Sequence, residues 1–523
     1  MTFRSLTRWR LLNVVLAGAA LLLFVRLALR HVGDSYFLAD QVDQLQKFEA
    51  LLRLDPDGLW GPAMSGTTAR ALGPFGAFVF GLPVALGFGI DAVHAFTSLL
   101  LVIAAGIAFW QLARTDIVFA WVWLIVLTSM RMVWWNAAMF WVNTLLLPLG
   151  LLLLALFAAM VRRPSVPKIA ATTLVLMCAL QQHLIALVGI PVLLVAIVRF
   201  WTSNTGSGLP RPRGAGSRPR ASASSAFGSG VWRAAIAIGT VVAVGLIPYA
   251  IAEGRTRFEN TRAMFSHVDA AAHSSSAAGR QAALDTLVLA TDPMTLLPSP
   301  GTAITFGALV ASVAVLLLLW RRRHDATVDG TTATDALLWL VTAAVVSIAG
   351  QALFFLLMAR PLNGLHYAML LAPWYPVPLA ALVAGIVPRR GSVPPLRVAV
   401  ALGFVSIALL IGRGPTLADR YAERTPWTYR AIVGALDSLC AGEAVNTLEG
   451  QGLVNELTPS SDSVLRYVMK RGYAACRYDP ASTVLIVANR TGMFDPSIES
   501  DGRRFVRERV VEPGLARYRL ADP

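Results

Sequence analysis

Hydrophobic residues in this chain come in long unbroken runs rather than in the short alternating blocks of a water-soluble fold. A helix needs about 20 largely apolar residues, at about 1.5 Å each, to cross a bilayer core. Runs of roughly that kind occur near 11–29, 93–112, 117–130, 137–160, 169–183, 185–200, 232–251, 303–320, 336–358, 368–387 and 398–412. The pattern predicts eleven transmembrane helices. One more apolar stretch, Pro74 to Ile90, is punctuated by Gly76, Gly81, Pro83, Gly87 and Gly89, and it reads as a helix lying at the outer membrane face. Beyond residue 412 the pattern changes. Strand-like runs at Ala444–Leu448 and Thr483–Ala488 flank a helical repeat between Ser460 and Lys470, which predicts a small α/β domain. The expected architecture is therefore mainly α: a polytopic α-helical membrane domain over 1–412, then a small extracytoplasmic α/β domain over 413–523.

Composition narrows the function classes. The chain is 56% hydrophobic and 14% charged, with a mean hydropathy of +0.61; soluble domains carry about 25% charge, so a soluble enzyme and a disordered tail are both excluded. The net charge of +15 belongs on short cytoplasmic loops rather than in a nucleic-acid groove, and no nucleic-acid partner is expected. The basic loops are Arg162-Arg163 with Lys168, Arg211 to Arg220, Arg321-Arg322-Arg323 and Arg389-Arg390. With Arg4, Arg8 and Arg10 inside, all of these fall inside only if an even number of crossings precedes Arg162. Treating 74–90 as the non-crossing segment satisfies this, and the short 117–130 run is the alternative. The N-terminal run has no small-x-small cleavage site after Val25, so it reads as an uncleaved anchor. A multi-pass protein of the cytoplasmic (inner) membrane follows, with outer pieces at 31–92, 131–136, 252–302 and 413–523. Residues 202–231, rich in Gly, Ser, Pro and Arg, are expected to form a disordered cytoplasmic loop. Cys440 and Cys476 lie on the oxidising side, where a disulfide is plausible.

Polar groups at membrane level are costly, so their positions carry information. After the first anchor comes Gly33-Asp34-Ser35-Tyr36-Phe37-Leu38-Ala39-Asp40-Gln41-Val42-Asp43-Gln44. From Leu38 the spacing fits an amphipathic helix resting on the membrane surface. Asp40 and Asp43 share one face of it. Partial desolvation would suit such a carboxylate to general-base work; the plainer reading is a pair of charges complementing the helix dipole. Leu180-Gln181-Gln182-His183 interrupts an apolar stretch of about thirty residues, as a binding cluster or as a polar turn. Arg360, Asn363, His366 and Tyr367 sit at another outer helix end, and Arg131 and Asn136 flank Trp134-Trp135 at a third, where the tryptophans alone would form an interfacial belt. Arg255, Arg257 and Arg262 depart from the positive-inside pattern; a guanidinium fork suits phosphate, and headgroup contact accounts for them equally well.

Taken in order, the acidic loop behind the first helix, Gly61-Pro62, Gly73-Pro74-Phe75, Arg131 to Asn136 and Gln182-His183-Leu184 resemble the GT-C class of membrane glycosyltransferases. The resemblance is to its bacterial branch, related to protein O-mannosyltransferases and lipid A aminoarabinose transferases. It covers about residues 10–200, with His366-Tyr367 and the Pro373 helix fitting more loosely, and the tail matches no family. It implies a sugar taken from a polyprenyl-phosphate donor at the outer membrane face. Asp40 aligns best with the catalytic loop aspartate of that class. Many relatives carry a second acid directly after it; here Gln41 stands there, which leaves Asp43 or Asp34 as substitutes.

The chemistry so implied is an inverting transfer to a hydroxyl acceptor on a glycan, lipid or protein. Asp40 takes the acceptor proton, while Arg255, Arg257 and His183, with Gln182, Arg131, Asn136, Arg360, His366 and Tyr367 near them, hold the donor phosphate. No cofactor is required. A divalent metal is possible if Asp40, Asp43 and His183 converge, though no spacing demands one, and loop 252–302 with His267 and His273 is a candidate lid. Three competing functions remain, one of them an interaction protein whose outer tail binds cell-wall components, which leaves the polar helix ends unexplained. A transporter or flippase of a lipid-linked or anionic substrate needs a polar path through the membrane centre, where these helices are almost uniformly apolar. An outer-face glycan polymerase or ligase would use loop arginines and leave the acidic loop idle.

Overall fold

The computed structural model describes residues 3–62, 69–204, 223–273, 314–318, 331–358, 369–387, 393–421, 425, 427–440, 442–450 and 462–521. The membrane domain begins with α1 (Phe3–Ala28), α2 (Ala39–Leu52), α3 (Phe75–Ala85), α4 (Ile90–Ala113), α5 (Ile117–Ser129), α6 (Arg131–Ala138), α7 (Leu146–Arg162) and α8 (Val166–Gln182). It continues with α9 (Ile190–Asn204), α10 (Ala223–Arg255), α11 (Glu259–His273), α12 (Thr331–Met358), α13 (Pro376–Ile386) and α14 (Val393–Gly412). Among the described residues, seven segments are long and apolar enough to cross a bilayer: Thr7–Ala28, Ile90–Ala113, Asn143–Arg162, Leu184–Ser203, Gly230–Arg255, Thr334–Gln351 and Pro395–Gly412.

The expected eleven spans are thus redistributed. The 117–130 run continues into α6 through a bend of 61°, giving one broken span rather than one short helix. The bend has a local cause: Thr128 and Ser129 hydroxyls donate back to Leu124 O at 2.9 Å and Ile125 O at 2.7 Å, which competes with the helical ladder. The Thr128 carbonyl then accepts from Trp134 Nε1 at 2.7 Å. The runs at 169–183 and 368–387 form shorter helices, α8 with 17 residues and the segment Ala372–Ile386. The run at 303–320 lies outside the described residues except for 314–318. Pro74 to Ile90 holds only the 11-residue α3, too short to span. The loop boundaries at 202–231 shift as well, because α9 runs through Asn204 and α10 starts at Ala223; 205–222 is outside the described residues.

The tail carries α15 (Gly414–Tyr421), α16 (Tyr429–Cys440) and α17 (Val464–Lys470), with strands β1 (Ala444–Glu449), β2 (Arg477–Tyr478), β3 (Val484–Ala488), β4 (Ser497–Ser500), β5 (Arg503–Val511) and β6 (Leu515–Leu520). They form one six-stranded sheet of order β2-β1-β3-β6-β5-β4. β1 is parallel to β2 and β3, while β3, β6, β5 and β4 pair antiparallel. Cys440 and Cys476 form a disulfide that ties the end of α16 to the strand region.

The tail does not hang free of the membrane domain. One apolar core joins Phe37, Val42, Leu45, Phe80 and Phe140 to Trp427, Ile432, Leu436 and Tyr467. Backbone pairing adds to it, with Phe37 N donating to Trp427 O at 3.0 Å beside a Tyr36–Thr428 bridge. Two expectations change as a result. The helix after Leu38 is not a surface helix: Ala39, Gln41, Val42, Asp43, Gln44, Leu45, Lys47, Phe48 and Ala50 of α2 are all buried, packed against α3, the turn Pro56–Leu59 and the tail. Trp134 is likewise no interfacial belt residue; it is 1% exposed, edge-on to Phe24 at 5.5 Å.

Candidate functional site

The start of α2 is fixed by Gln41. Its Oε1 accepts from the Leu38 N–H at 3.0 Å, and its Nε2 donates to the Phe140 carbonyl. A carboxylate at this position could not make the second bond, so an amide suits this place. Phe140 N in turn donates to Ser35 Oγ at 2.7 Å, so the segment before α2 and the segment after α6 are stitched together.

Asp40 and Asp43, three residues apart, meet opposite environments. Asp40 is open to solvent, and its Oδ2 accepts from the Trp141 indole at 3.2 Å. Desolvation by the surrounding protein raises its pKa above the ordinary carboxylate range, opposed by the Trp141 hydrogen bond; nearby Asp43 adds to the rise and Lys47 opposes it. Asp43 is 2% exposed. Its carboxylate is 2.5 Å from Lys47 Nζ and 3.7 Å from Arg70 Nη1, and it accepts from Gln44 Nε2 at 3.2 Å. Burial lowers the Lys47 pKa to about 8, with Asp43 opposing that shift. Lys47 also donates to Gly61 O at 2.6 Å. Asp43 is therefore the centre of a buried ion cluster, while Asp40 is the carboxylate that a substrate can reach. Asp34 is exposed and 3.1 Å from His31 Nδ1.

The Gly61 and Gly73 region binds this helix to the Gln-Gln-His segment. A Cβ on Gly61 would lie 2.8 Å from the Gln181 carbonyl, and one on Gly73 would lie 2.7 Å from the Gln181 side chain, so only glycine permits the approach. Gln181 Nε2 donates onward to Gly245 O in α10 at 2.8 Å. Arg70 is held through its backbone by Asn260, whose Oδ1 accepts at 2.5 Å and whose Nδ2 donates at 3.2 Å. The acidic helix, the 56–73 loop, the end of α8 and the end of α10 therefore meet at one end of the helix bundle.

The other expected residues divide by role. Gln182 is 1% exposed, and among the described residues neither atom of its amide has a hydrogen-bond partner; Gln44 Oε1 and Asn143 Oδ1 share that condition. The turn Val142–Leu145 that carries Asn143 packs against both α2 and α8. Buried amide atoms left unsatisfied cost about 1–3 kcal/mol each unless water or a ligand completes them, so each of these amides is suited to take a polar group from a bound molecule. His183 instead caps the turn after α8, its Nδ1 accepting from Ile185 N at 3.1 Å. Asn136 is buried and bonds Thr144 O at 2.8 Å and Met369 Sδ at 3.4 Å, which holds the polypeptide on either side of Phe140. Arg131 opens α6 at the bend and lies beside α15. Arg255 and Arg257 are exposed at the turn between α10 and α11, where Arg257 and Phe258 both have positive φ. Arg360, Asn363, His366 and Tyr367 lie outside the described residues. Asp40, Asp43 and His183 do not converge on one point, and among the described residues no group of three or more acidic, His or Cys side chains is arranged to hold a metal.

Lys47, Arg70, Gln44 and Asn143 were not anticipated. The i, i+4 spacing of Asp43 and Lys47 was the one sequence signal for the ion cluster.

No family model and no curated protein matches the chain. Among solved structures, the Archaeoglobus fulgidus oligosaccharyltransferase in its apo form aligns over 82% of this chain and 58% of its own, at 12% identity and a TM-score of 0.34. The same enzyme in complex with Zn and sulfate aligns over 82% and 55%, at the same identity and TM-score. The chain thus spans little more than half the length of these structures, and the fold given above rests on its own helices and sheet.

Proposed function

We propose that this protein is an inverting glycosyltransferase of the GT-C type. It moves a sugar from a polyprenyl-phosphate donor to a hydroxyl of a glycan, lipid or protein acceptor at the outer face of the cytoplasmic membrane. The observation that carries this reading is Asp40: an accessible carboxylate of raised pKa, at the end of a multi-span bundle, on a helix fixed from both sides. A hydroxyl acceptor arrives from water, and the donor's prenyl chain lies in the bilayer. The acceptor oxygen attacks the anomeric carbon and its proton passes to Asp40. The bond to the phosphate oxygen breaks with its electrons leaving on the phosphate, and the configuration inverts. The departing charge falls to groups at the same end, among them Gln182 with its unsatisfied amide and the exposed Arg255 and Arg257. Asp43 acts differently in this scheme, locked to Lys47 and setting the field around Asp40.

The test is Asp40→Asn in the purified full chain, read as release of polyprenyl phosphate from a polyprenyl-phosphate sugar. The expected loss is about 10²–10⁴-fold, with thermal unfolding unchanged because Asp40 is exposed. An unaltered rate removes the base role.

A further inference from the structure

The same three helices that bring Asn143 and Gln182 to the Asp40 end frame a second site at their other ends. α4 ends at Ala113, α7 ends at Arg162 and α8 begins at Val166. Between them lies a cavity of about 540 Å³ lined by Gln111, Arg114, Ala159, Arg162, Arg163 and Lys168. Its four cations form no ion pair with a carboxylate among the described residues. Asp116, the nearest acid in sequence, is turned to the start of α5, where it accepts from Phe119 N at 3.0 Å.

Part of this charge has structural work. Lys168 Nζ donates to Ala159 O at 3.0 Å and Arg163 O at 2.5 Å, Arg162 Nε donates to Ala158 O at 3.3 Å, and Arg162 Nη2 donates to Gln111 Oε1. These bonds close the last turn of α7. They fix two of the cations, Arg162 and Lys168, in position without a carboxylate, so an anion entering the cavity relieves repulsion among four like charges.

A second observation says what kind of anion. Ile103, Ile107 and Trp110 of α4 are 56%, 39% and 55% exposed. With Arg114 they are spaced four, three and four residues apart, which puts them on one face of the helix. Arg114 lies over the Trp110 ring, 5.1 Å from its centroid. An exposed apolar stripe that ends in an indole and then a guanidinium matches a lipid chain topped by a charged headgroup.

We propose that this cavity binds the phosphate headgroup of an anionic membrane lipid, whose chain lies along the Ile103–Ile107–Trp110 stripe. The assignment is independent of sugar transfer, since it uses neither Asp40 nor the cluster around it. It makes the site a lipid-binding counterpart at the opposite end of α4, α7 and α8.

The full chain, purified and titrated with phosphatidylglycerol or phosphatidylcholine, tests this by native mass spectrometry of bound lipid. Phosphatidylglycerol is expected to bind at least about tenfold more tightly than phosphatidylcholine. Arg114→Gln with Arg163→Gln removes two exposed charges, each worth about 1 kcal/mol toward an anionic lipid, and is expected to lower that affinity about tenfold to thirtyfold. The charge-keeping pair Arg114→Lys with Arg163→Lys is expected to stay within about threefold and controls for folding. Unchanged affinity in the Gln pair overturns the proposal. Displacement of the lipid by an equal concentration of inorganic phosphate overturns the lipid assignment in favour of a free-anion site.

Discussion

The two ends of α4, α7 and α8 solve the problem of charge in opposite ways. At the Asp40 end, acids, bases and amides interlock: Asp43 is buried against Lys47 and Arg70, and Lys47 reaches the Gly61 carbonyl. At the other end Arg114, Arg162, Arg163 and Lys168 line an open cavity that, among the described residues, no carboxylate lines, with Arg162 and Lys168 bonded to backbone carbonyls, and the ion pair beside them, Arg199 with Asp335, leaves them out. A buried charge requires its partner, whereas an exposed one needs only solvent. The difference teaches that net charge says little about a site, and that burial decides which charges hold the fold.

Paired substitutions break or sharpen this contrast. The largest effect is expected for Lys47→Ala, which takes the nearest cation from the buried Asp43 carboxylate, leaving Arg70 at 3.7 Å, and should destabilise the protein by about 3–5 kcal/mol. Arg163→Ala at the opposite end should stay within about 0.5 kcal/mol. Thermal unfolding of both variants in the same detergent decides it, and equal losses would erase the distinction. Adding Asp43→Leu to Lys47→Met should recover much of the stability, because an apolar pair replaces an ion pair at little cost.

Next in size is the tail. Replacing both Cys440 and Cys476 by Ser opens a link across a sequence separation of 36 and should lower stability by about 2–4 kcal/mol. Since Trp427, Ile432 and Leu436 share a core with Phe37 and Val42, hydrogen exchange should rise in α2 as well as in the tail, while the Arg163 end stays protected. Exchange confined to the tail would show that the shared core does not couple them.

The smallest effect concerns Asp40 itself. The Trp141 indole donates to its carboxylate and holds down a pKa that burial raises. Trp141→Phe removes that donor and pushes the pKa further up. Asp40 must be ionised to take a proton, so activity lost on acidification should disappear at higher pH in the variant. A pH–rate profile that does not move would separate Asp40 from the rate.

Much of the membrane domain was legible because bilayer crossing imposes a length and an apolar composition on each helix. Where sequence reading went astray, local hydrogen bonds or tertiary cover were responsible. The 117–138 break depends on Thr128 and Ser129 turning back on their own helix, which hydropathy does not register. The amphipathic pattern of α2 is genuine, but its apolar face meets α3, the turn Pro56–Leu59 and the tail rather than lipid. In the tail, the strands at Ala444 and Val484 showed their apolar runs, whereas β5, Arg503–Val511, carries arginines outward and hid its pairing with β6. At the site, carboxylates were sought and found, but Lys47 and Arg70 were overlooked, since only the fold brings Arg70 to Asp43.

The docking of α2 has a consequence in time. Glu49 of α2 bonds with Arg471 and Tyr467, and Gln46 accepts from the Asp462 backbone, so this helix is clamped by residues synthesised 416 and 418 positions after their partners. A ribosome that stalls between the two leaves an inserted but unclamped polypeptide, and maturation of the Asp40 surroundings waits on the tail.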